Sequence, residues 1–241
     1  MTEQIKKILP DIQEHDIFKE YDFRLIGGTA LSYHLMHRLS EDLDFCLMGK
    51  LPVDAIENFI EHCISIYGRD KVSLIEFSQG KLLDFETNCE NIFEYEQNWM
   101  INGVKITFFD GSDNRGVRDI FKTDNYTKIG NIKISSVDSI FAMKSLMFYN
   151  RAKSRDYYDL FYMYKYNSDK YSIEKTVSLI QEYELSYRDK QGLEQLIHKV
   201  EYANYSKMYD EPLVGLVDEP EDFVVLNKKM LILLKKVEVI K

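Results

Sequence analysis

The sequence predicts an α+β fold in which strands dominate the first half of the chain and helices the second. Residues 41–47 alternate between polar and apolar side chains, which is typical of a strand with one buried face. Asn102 and Gly103 separate two strand-like segments and favour a two-residue hairpin turn, because both tolerate positive φ. Helical spacing prevails after about residue 134, where we place a boundary.

The first half alternates short predicted strands with helices. Residues 23–26 form a strand candidate that ends at a glycine pair, and the residues that follow have apolar side chains at helical spacing. In chain order, the predicted elements are a helix at 3–20, a strand at 23–26, a helix at 29–36, a strand at 41–47, a helix at 53–67, a strand at 71–77 and hairpin strands at 97–101 and 104–109.

The second half is predicted to be helical. Ser135 and Asp138 resemble a capping box, and Ser154 is predicted to cap the next helix. Pro212, Gly215 and Pro220 lie among acidic residues and indicate a loop. The predicted elements are helices at 136–150, 155–166, 171–185 and 189–206, a loop at 209–222 and a last helix at 223–239.

Composition is that of an ordinary globular protein, with 45% hydrophobic and 29% charged residues among 241. The net charge of −9 argues against a long nucleic-acid contact, so any such contact should be local. Three irregularly spaced cysteines suit a reducing compartment. Since the sequence shows neither a signal peptide nor a run of ~20 apolar residues, we expect a cytoplasmic protein with no membrane partner.

Asp42 and Asp44 are the first candidate site residues. On a strand they share one face, roughly 6–7 Å apart, while Leu43 and Phe45 point to the other face. Two carboxylates at this spacing favour a divalent cation, and Mg²⁺ completes its octahedron with water and phosphate oxygens. This pattern is typical of metal-assisted phosphoryl or nucleotidyl transfer, although alternating acids also form solvated edge strands.

Gly27 and Gly28 lie between the predicted strand at 23–26 and the helix at 29–36. Glycine allows close approach of a ligand to the backbone, and a helix N-terminus attracts phosphate. Thr29 either donates its hydroxyl to such a phosphate or caps the helix.

The segment GGTAL at 27–31, followed by RxSxDLDF at 38–45, resembles the signature of the AbiEii/AbiGii nucleotidyltransferase family. That family belongs to the DNA polymerase β superfamily, and several members are toxins of type IV toxin–antitoxin systems. The resemblance implies a polymerase β-like fold, a mixed sheet flanked by helices and followed by a helical region. It implies a nucleotidyltransferase core at 1–134 and a helical domain at 135–241 that completes the active-site cleft.

The resemblance also assigns roles to individual residues. It implies that Asp42 and Asp44 are catalytic ligands of Mg²⁺ or Mn²⁺. The residues it implies for nucleotide binding are Gly27, Gly28, Thr29, Arg38, Ser40 and Lys144.

Lys144 lies on the apolar stripe of the predicted helix at 136–150, where it either snorkels to the surface or meets a triphosphate. Asp156 and Asp159 share one face of the next helix. The alternative for Asp156 is that it stabilises the first turn of that helix or pairs with Lys153 or a neighbouring arginine. The family has a similar lysine-bearing helix followed by RDxxDL, which implies catalytic roles for Lys144, Asp156 and Asp159.

The sequence departs from the family pattern at Thr107, where many relatives have a third acid. Threonine cannot act as a general base at neutral pH, and Asp110 and Asp84 are the candidate substitutes.

From the motifs and the family resemblance together, we expect transfer of an NMP from an NTP to an RNA (tRNA-like) or protein hydroxyl by a type IV toxin with a cognate antitoxin. The alternative is a weak or inactive module that binds a nucleotide or partner on the same fold.

Overall fold

The computed structural model describes residues 1–148, 153–202 and 212–237 and divides into two compact units, Met1–Ser136 and Val137–Lys241. The division lies two residues beyond the predicted boundary at 134. The predicted helix ends at 150, 206 and 239, and the start of the predicted loop at 209, lie outside the described residues.

The N-terminal unit combines six helices with seven strands in its described residues. The helices are α1 (Glu3–Ile12), α2 (Ile17–Glu20), α3 (Gly27–Leu35), α4 (Val53–Tyr67), α5 (Gln79–Thr87) and α6 (Arg115–Thr123). The strands are β1 (Arg24–Ile26), β2 (Asp42–Leu47), β3 (Val72–Leu74), β4 (Glu96–Ile101), β5 (Val104–Asp110), β6 (Thr127–Ile129) and β7 (Ile132–Ile134).

All seven strands form one mixed sheet in the order β3-β4-β5-β2-β1-β7-β6. β2 lies at its centre, antiparallel to β1 and parallel to β5. The hairpin predicted at Asn102 and Gly103 joins β4 to β5, and both residues have positive φ, 47° and 79°. β1 and β2 are neighbours in the sheet, and α3 connects them. The start of α3 follows β1 directly and therefore lies beside β2.

One face of the central strands forms the hydrophobic core. Phe45 of β2 and Phe108 of β5 stack with ring centroids 5.5 Å apart. Phe18 of α2 lies 4.7 Å from Phe45, and Phe59 of α4 lies 5.5 Å from Phe108. Aromatic rings at these separations attract each other beyond simple burial, so α2 and α4 are held firmly on this face.

The opposite face of the central strands is polar. Cross-strand partners point to the same side of a sheet, and Asp44 pairs with Thr107, which pairs with Asn98 of β4. Asp42 and Glu96 lie two residues away on their strands and therefore share this face. The alternation predicted for residues 41–47 is thus confirmed, and we call this surface the polar face.

Several elements differ from prediction. The single helix expected at 3–20 is divided into α1 and α2, because the carbonyls of Gln13 and Glu14 accept hydrogen bonds from Asn131, at 2.8 and 3.0 Å. The turn lets Phe18 enter the core. α5, α6 and the β6–β7 hairpin are absent from the elements predicted above.

The C-terminal unit is helical in its described residues, as predicted. Its helices are α7 (Val137–Phe148), α8 (Ser154–Tyr166), α9 (Ile173–Tyr183), α10 (Lys190–Glu201) and α11 (Phe223–Leu234). The prediction that Ser154 is the N-cap of α8 is wrong: Lys153 occupies that position, and Ser154 is buried in the first turn. Among the described residues, no helix is long and apolar enough to cross a membrane.

Candidate active site

Asp42 and Asp44 lie on the polar face of β2 and are half-buried, whereas Leu43 and Phe45 between and beside them are fully buried. The pleat therefore fixes both carboxylates on one side of the sheet. β1 and β5 flank β2, so neither aspartate is on an edge strand. This position disfavours the solvated-edge interpretation of the two acids.

Gly27 begins α3 directly opposite this carboxylate pair. Its φ of +72° is one that other residues rarely adopt, and a Cβ there would lie 3.0 Å from Asp44 Oδ2. Glycine is therefore required both by the backbone conformation and by the close approach to Asp44. Ile26, at the N-cap, has an apolar side chain and makes no side-chain capping hydrogen bond. The N-terminus of a helix attracts anions through its N–H groups and the helix dipole.

Gly28 makes room for two other predicted nucleotide-binding residues. A Cβ at Gly28 would overlap Arg38 Nη2 and would lie 3.1 Å from Ser40 Oγ. Arg38 and Ser40 are both buried, and Arg38 Nη1 donates to the Leu39 carbonyl at 2.9 Å. The start of α3 and the 38–40 segment thus form one compact cluster.

Thr29 has a structural contact. Its buried hydroxyl donates to the backbone carbonyl of Asp42 and so ties α3 to β2. The hydrogen of the Thr29 hydroxyl is thus used within the protein. Residues 27–29, 38, 40, 42 and 44 are therefore brought together in the N-terminal unit.

Thr107 occupies the position on β5 next to Asp44. Its hydroxyl lies 2.9 Å from Asn98 Oδ1, and Asn98 Nδ2 donates to Glu96 Oε1 at 2.6 Å. Lys81 of α5 donates to the other oxygen of Glu96 at 2.5 Å. Sequence reasoning missed Lys81, Glu96 and Asn98. The two-residue turn at Asn102 and Gly103 sets Asn98 opposite Thr107, so the predicted hairpin carried the signal for Asn98 and Glu96. Lys81 lies on α5, and only the tertiary fold brings it to Glu96.

The two candidate substitutes for the third acid have other positions. Asp110 pairs with Leu47, at the opposite end of β2 from Asp42, and its Oδ1 accepts the backbone N–H groups of Gly49 and Ser112. Asp84 is exposed on α5. Asp110 therefore stabilises the loops at the end of the sheet.

In the C-terminal unit, Lys144 of α7 lies between two acids of α8. Its Nζ is 2.8 Å from Asp156 Oδ1 and 2.8 Å from Asp159 Oδ2, and all three side chains are buried. One buried ammonium group thus pairs with two buried carboxylates. The structure brings these three candidate residues together.

The donor set on the polar face fits a divalent cation. Asp42 and Asp44 offer hard oxygen ligands. Because Gly27 has no Cβ, there is space beside the Asp44 carboxylate that a larger residue would fill. Within the described ranges 1–148, 153–202 and 212–237, no group of three or more His, Cys, Asp or Glu side chains could hold a metal. A site here would consequently combine two carboxylates with neutral oxygens from protein, water or phosphate.

Comparisons with known proteins agree with this geometry. The sequence matches the family described as nucleotidyl transferase AbiEii toxin, type IV TA system, over residues 14–226. An uncharacterized protein of Aquifex aeolicus (strain VF5) is 28% identical over 157 residues, which is 65% of this chain and 65% of that relative. The match thus spans less than two thirds of this curated relative.

Two solved structures are similar over most of the chain. MenT4, a nucleotidyltransferase toxin from Mycobacterium tuberculosis H37Rv, matches with a TM-score of 0.50 at 15% identity. The match covers 96% of this chain and 83% of the MenT4 chain. JHP933 from Helicobacter pylori has a TM-score of 0.49 at 16% identity, with coverage of 98% and 92%.

The likeness to MenT4 shows a nucleotidyltransferase fold and confirms the predicted fold class, an α+β core followed by a helical region. The family match covers most of the sequence and includes both the glycine pair and the paired aspartates. The chain belongs to the AbiEii family of nucleotidyltransferase toxins of type IV toxin–antitoxin systems.

Proposed function

We propose that this protein transfers a nucleoside monophosphate from an NTP to a hydroxyl group, using a divalent cation held by Asp42 and Asp44. The observation that carries the proposal is the juxtaposition of those half-buried carboxylates with the glycine at the start of α3. Mg²⁺ or Mn²⁺ would neutralise phosphate charge and polarise the phosphoryl group when bound.

The chain's own residues supply binding and orientation. Asp42 and Asp44 fix the cation's position because β2 is central and rigid. The N–H groups of Gly27, Gly28 and Thr29 face a phosphate at the helix N-terminus, where the helix dipole is favourable. Arg38 and Ser40, which pack against Gly28, hold the nucleotide through charge and a hydroxyl.

Lys144, Asp156 and Asp159 are proposed as a second functional cluster on the strength of the family pattern. Their mutual ion pairs orient the ammonium group, which would act as a point charge toward phosphate. The acceptor proposed from the family is an RNA such as a tRNA end, or a protein hydroxyl, in the cytoplasm, and a cognate antitoxin would restrain the toxin.

The decisive experiment incubates the protein with each α-labelled NTP, Mg²⁺ or Mn²⁺, and total cellular RNA or protein. Asp42→Asn and Asp44→Asn should each lower labelling by at least about 100-fold, because the cation loses half of its carboxylate charge. Asp113→Asn, at an exposed position of the same unit, is the matched control. Undiminished labelling by both site variants would refute the proposal.

A second function, nucleotide or partner binding without turnover, is favoured by Thr107 at the position expected for the third acid. Calorimetry with NTP and Mg²⁺ beside the transfer assay separates the two. Metal-dependent NTP binding without any labelled product would select the binding module over the enzyme.

A further inference from the structure

Thr107 lies between two polar neighbours on the polar face. β5 is flanked by β4 on one side and β2 on the other, so Asn98 lies to one side of Thr107 and Asp44 to the other. Neighbouring strands are ~4.8 Å apart, which brings the Thr107 hydroxyl next to the Asp44 carboxylate.

The chain of hydrogen bonds from Lys81 to Thr107 has one chemically sensible direction. Glu96 accepts from Lys81 Nζ at 2.5 Å and from Asn98 Nδ2 at 2.6 Å. The Asn98 amide must therefore present its oxygen to Thr107, since the reversed amide would set two acceptors, its oxygen and Glu96, against each other. Hence Thr107 Oγ1 is the donor in its 2.9 Å contact with Asn98 Oδ1.

A hydroxyl has one hydrogen, and in Thr107 that hydrogen is directed toward β4. The oxygen consequently presents only lone pairs toward β2, where Asp44 lies. Within this chain, the Glu96 carboxylate accepts from Asn98 and so makes the amide oxygen of Asn98 a stronger acceptor for the Thr107 hydroxyl. The Thr107 oxygen is thereby a better electron-pair donor.

We infer that Thr107 supplies a neutral oxygen ligand to the divalent cation held by Asp42 and Asp44, and that Asn98 and Glu96 are positioning residues that orient it. The inference rests on the proposed metal-dependent function. Threonine hydroxyls are accepted ligands of Mg²⁺ in nucleotide-binding proteins. Within the described residues no group of three or more acidic, His or Cys side chains could hold a metal, so the ligands beyond Asp42 and Asp44 are neutral oxygens, and Thr107 is the hydroxyl paired with Asp44 across β2 and β5.

The test measures Mn²⁺ affinity by electron paramagnetic resonance, which reports free Mn²⁺ without any nucleotide or acceptor. Thr107→Val, which replaces the hydroxyl by a methyl group, should weaken Mn²⁺ binding about tenfold. Thr107→Ser should stay within about twofold of the wild type. Thr127→Val makes the same chemical change on β6, at the far edge of the sheet, and should leave affinity unchanged.

Exchanging the positions of acid and amide tests the orienting chain. Asn98→Asp alone sets two carboxylates against each other and should weaken Mn²⁺ binding by several-fold. Adding Glu96→Gln restores the pattern, because the amide then present at position 96 can donate to one oxygen of the carboxylate at position 98 while Thr107 donates to the other. Affinity should therefore recover in the double variant. A merely structural role would change thermal stability in both variants without this loss and recovery of affinity.

The outcomes separate this inference from the proposed function. Loss of Mn²⁺ binding in Asp42→Asn and Asp44→Asn with wild-type affinity in a folded Thr107→Val overturns the role of Thr107 and leaves the aspartate site standing. Equal Mn²⁺ binding by the wild type and both aspartate variants overturns both. Weaker binding in Thr107→Val, retained in Thr107→Ser, supports the inference.

Discussion

At the scale of single residues, the glycine pair shows how the absence of a side chain can define a site. Gly27 and Gly28 face different partners: Asp44 in one case, Arg38 and Ser40 in the other. Both positions therefore link the start of α3 to the motif that follows it. The spacing of the two motifs in the sequence reflects this contact, which is why the site could be predicted from a short segment.

Gly28→Ala should weaken nucleotide binding with little loss of stability. The added methyl group would overlap the Arg38 guanidinium, which can move because it is the end of a flexible side chain. Alanine itself favours a helix by about 1 kcal/mol relative to glycine, which offsets part of the disturbance. We expect the dissociation constant for NTP, measured by calorimetry with Mg²⁺, to rise about tenfold.

Gly80→Ala is the matched control for this prediction. Gly80 is also the second residue of a helix, α5, and a Cβ there would meet nothing within 4 Å. This variant should keep wild-type NTP affinity and be equally or more stable. If both variants bind NTP as the wild type does, the packing of Arg38 against Gly28 has no part in binding.

Lys144 illustrates a residue whose packing requirement can be separated from its proposed function. Lys144→Met leaves Asp156 and Asp159 buried without their cation, which should lower the free energy of unfolding by about 3–5 kcal/mol. Lys170→Met, which breaks an exposed ion pair with Asp138, should cost less than about 1 kcal/mol. Urea denaturation of both variants provides the measurement.

If Lys144→Met loses no more stability than Lys170→Met, the buried cluster does not stabilise the C-terminal unit. Any transfer defect of Lys144→Met must be measured at a temperature where the variant remains folded. Adding Asp156→Asn and Asp159→Asn should recover part of the lost stability, because it removes the two buried carboxylate charges that pair with Lys144 in the wild type.

At the scale of secondary-structure elements, the sequence predicts those with an internal pattern. β2 is identified by its alternation, and α4 occupies the predicted range of 53–67. The prediction misses α6, although Asn114 caps it and Ile120 and Phe121 are buried. Its segment is strongly charged and has only three apolar residues, so the helical spacing of apolar side chains is weak. α5 has no buried residue, so its sequence has no apolar stripe to detect.

Contacts between elements distant in sequence could not be predicted. The two-residue turn at Asn102 and Gly103 fixes Asn98 opposite Thr107, so that pairing follows from the predicted hairpin. Lys81 of α5, by contrast, donates to Glu96 of β4, and nothing local in either element indicates this contact. Likewise, Arg24 of β1 is buried because its guanidinium donates to the Phe121 carbonyl of α6 at 2.8 Å and lies 4.6 Å from the Phe121 ring centroid. Such contacts depend on the tertiary fold alone.

The ion pairs of Asp22 should make the stability of the β1–β7 region depend on pH. Asp22 lies 2.6 Å from Lys133 Nζ and 3.0 Å from Arg24 Nη2. Burial alone would raise the pKa of the Asp22 carboxyl, but hydrogen bonds with Lys133 and Arg24 outweigh burial and hold the pKa below its usual value. The ionised form is thus favoured by folding, and its contribution is present above the unfolded-state pKa of about 4 and is lost as the pH falls.

Asp22→Asn should therefore lower the free energy of unfolding at pH 7 by less than about 1 kcal/mol, because the pair is partly exposed. The difference from the wild type should shrink as the pH is lowered from 5 toward the acid limit, and should also shrink in ~1 M salt. Urea titrations across this pH range provide the measurement. A difference that stays constant with pH would show that Asp22 acts through packing rather than charge.

At the scale of the whole molecule, the acidic composition and the local site are consistent with each other. A net charge of −9 leaves no excess of positive charge for a long nucleic-acid contact, whereas a cation held by two aspartates needs only local negative charge. The two compact units carry different parts of the predicted residue set. The glycine–aspartate cluster lies in Met1–Ser136, and the Lys144 cluster lies in Val137–Lys241.

The three cysteines, all in the N-terminal unit, should report how that unit opens. Cys89 is exposed, whereas Cys46 on β2 and Cys63 on α4 are buried. Burial, with a contribution from Asp11, raises the pKa of the Cys63 thiol to about 12, so the reactive thiolate is scarce at pH 8. Native protein should react with a thiol reagent at one cysteine, and unfolded protein at three.

The denaturant dependence of labelling adds a sharper test. β2 and α4 contribute Phe45 and Phe59 to the same aromatic core, so one cannot be exposed without disrupting packing on the other. Cys46 and Cys63 should therefore become reactive with the same dependence on urea, as expected of one cooperative unit, while Cys89 reacts independently of urea. Mass spectrometry of each labelled peptide measures the three rates, and earlier labelling of Cys63 than of Cys46 would mean that α4 detaches before the sheet unfolds.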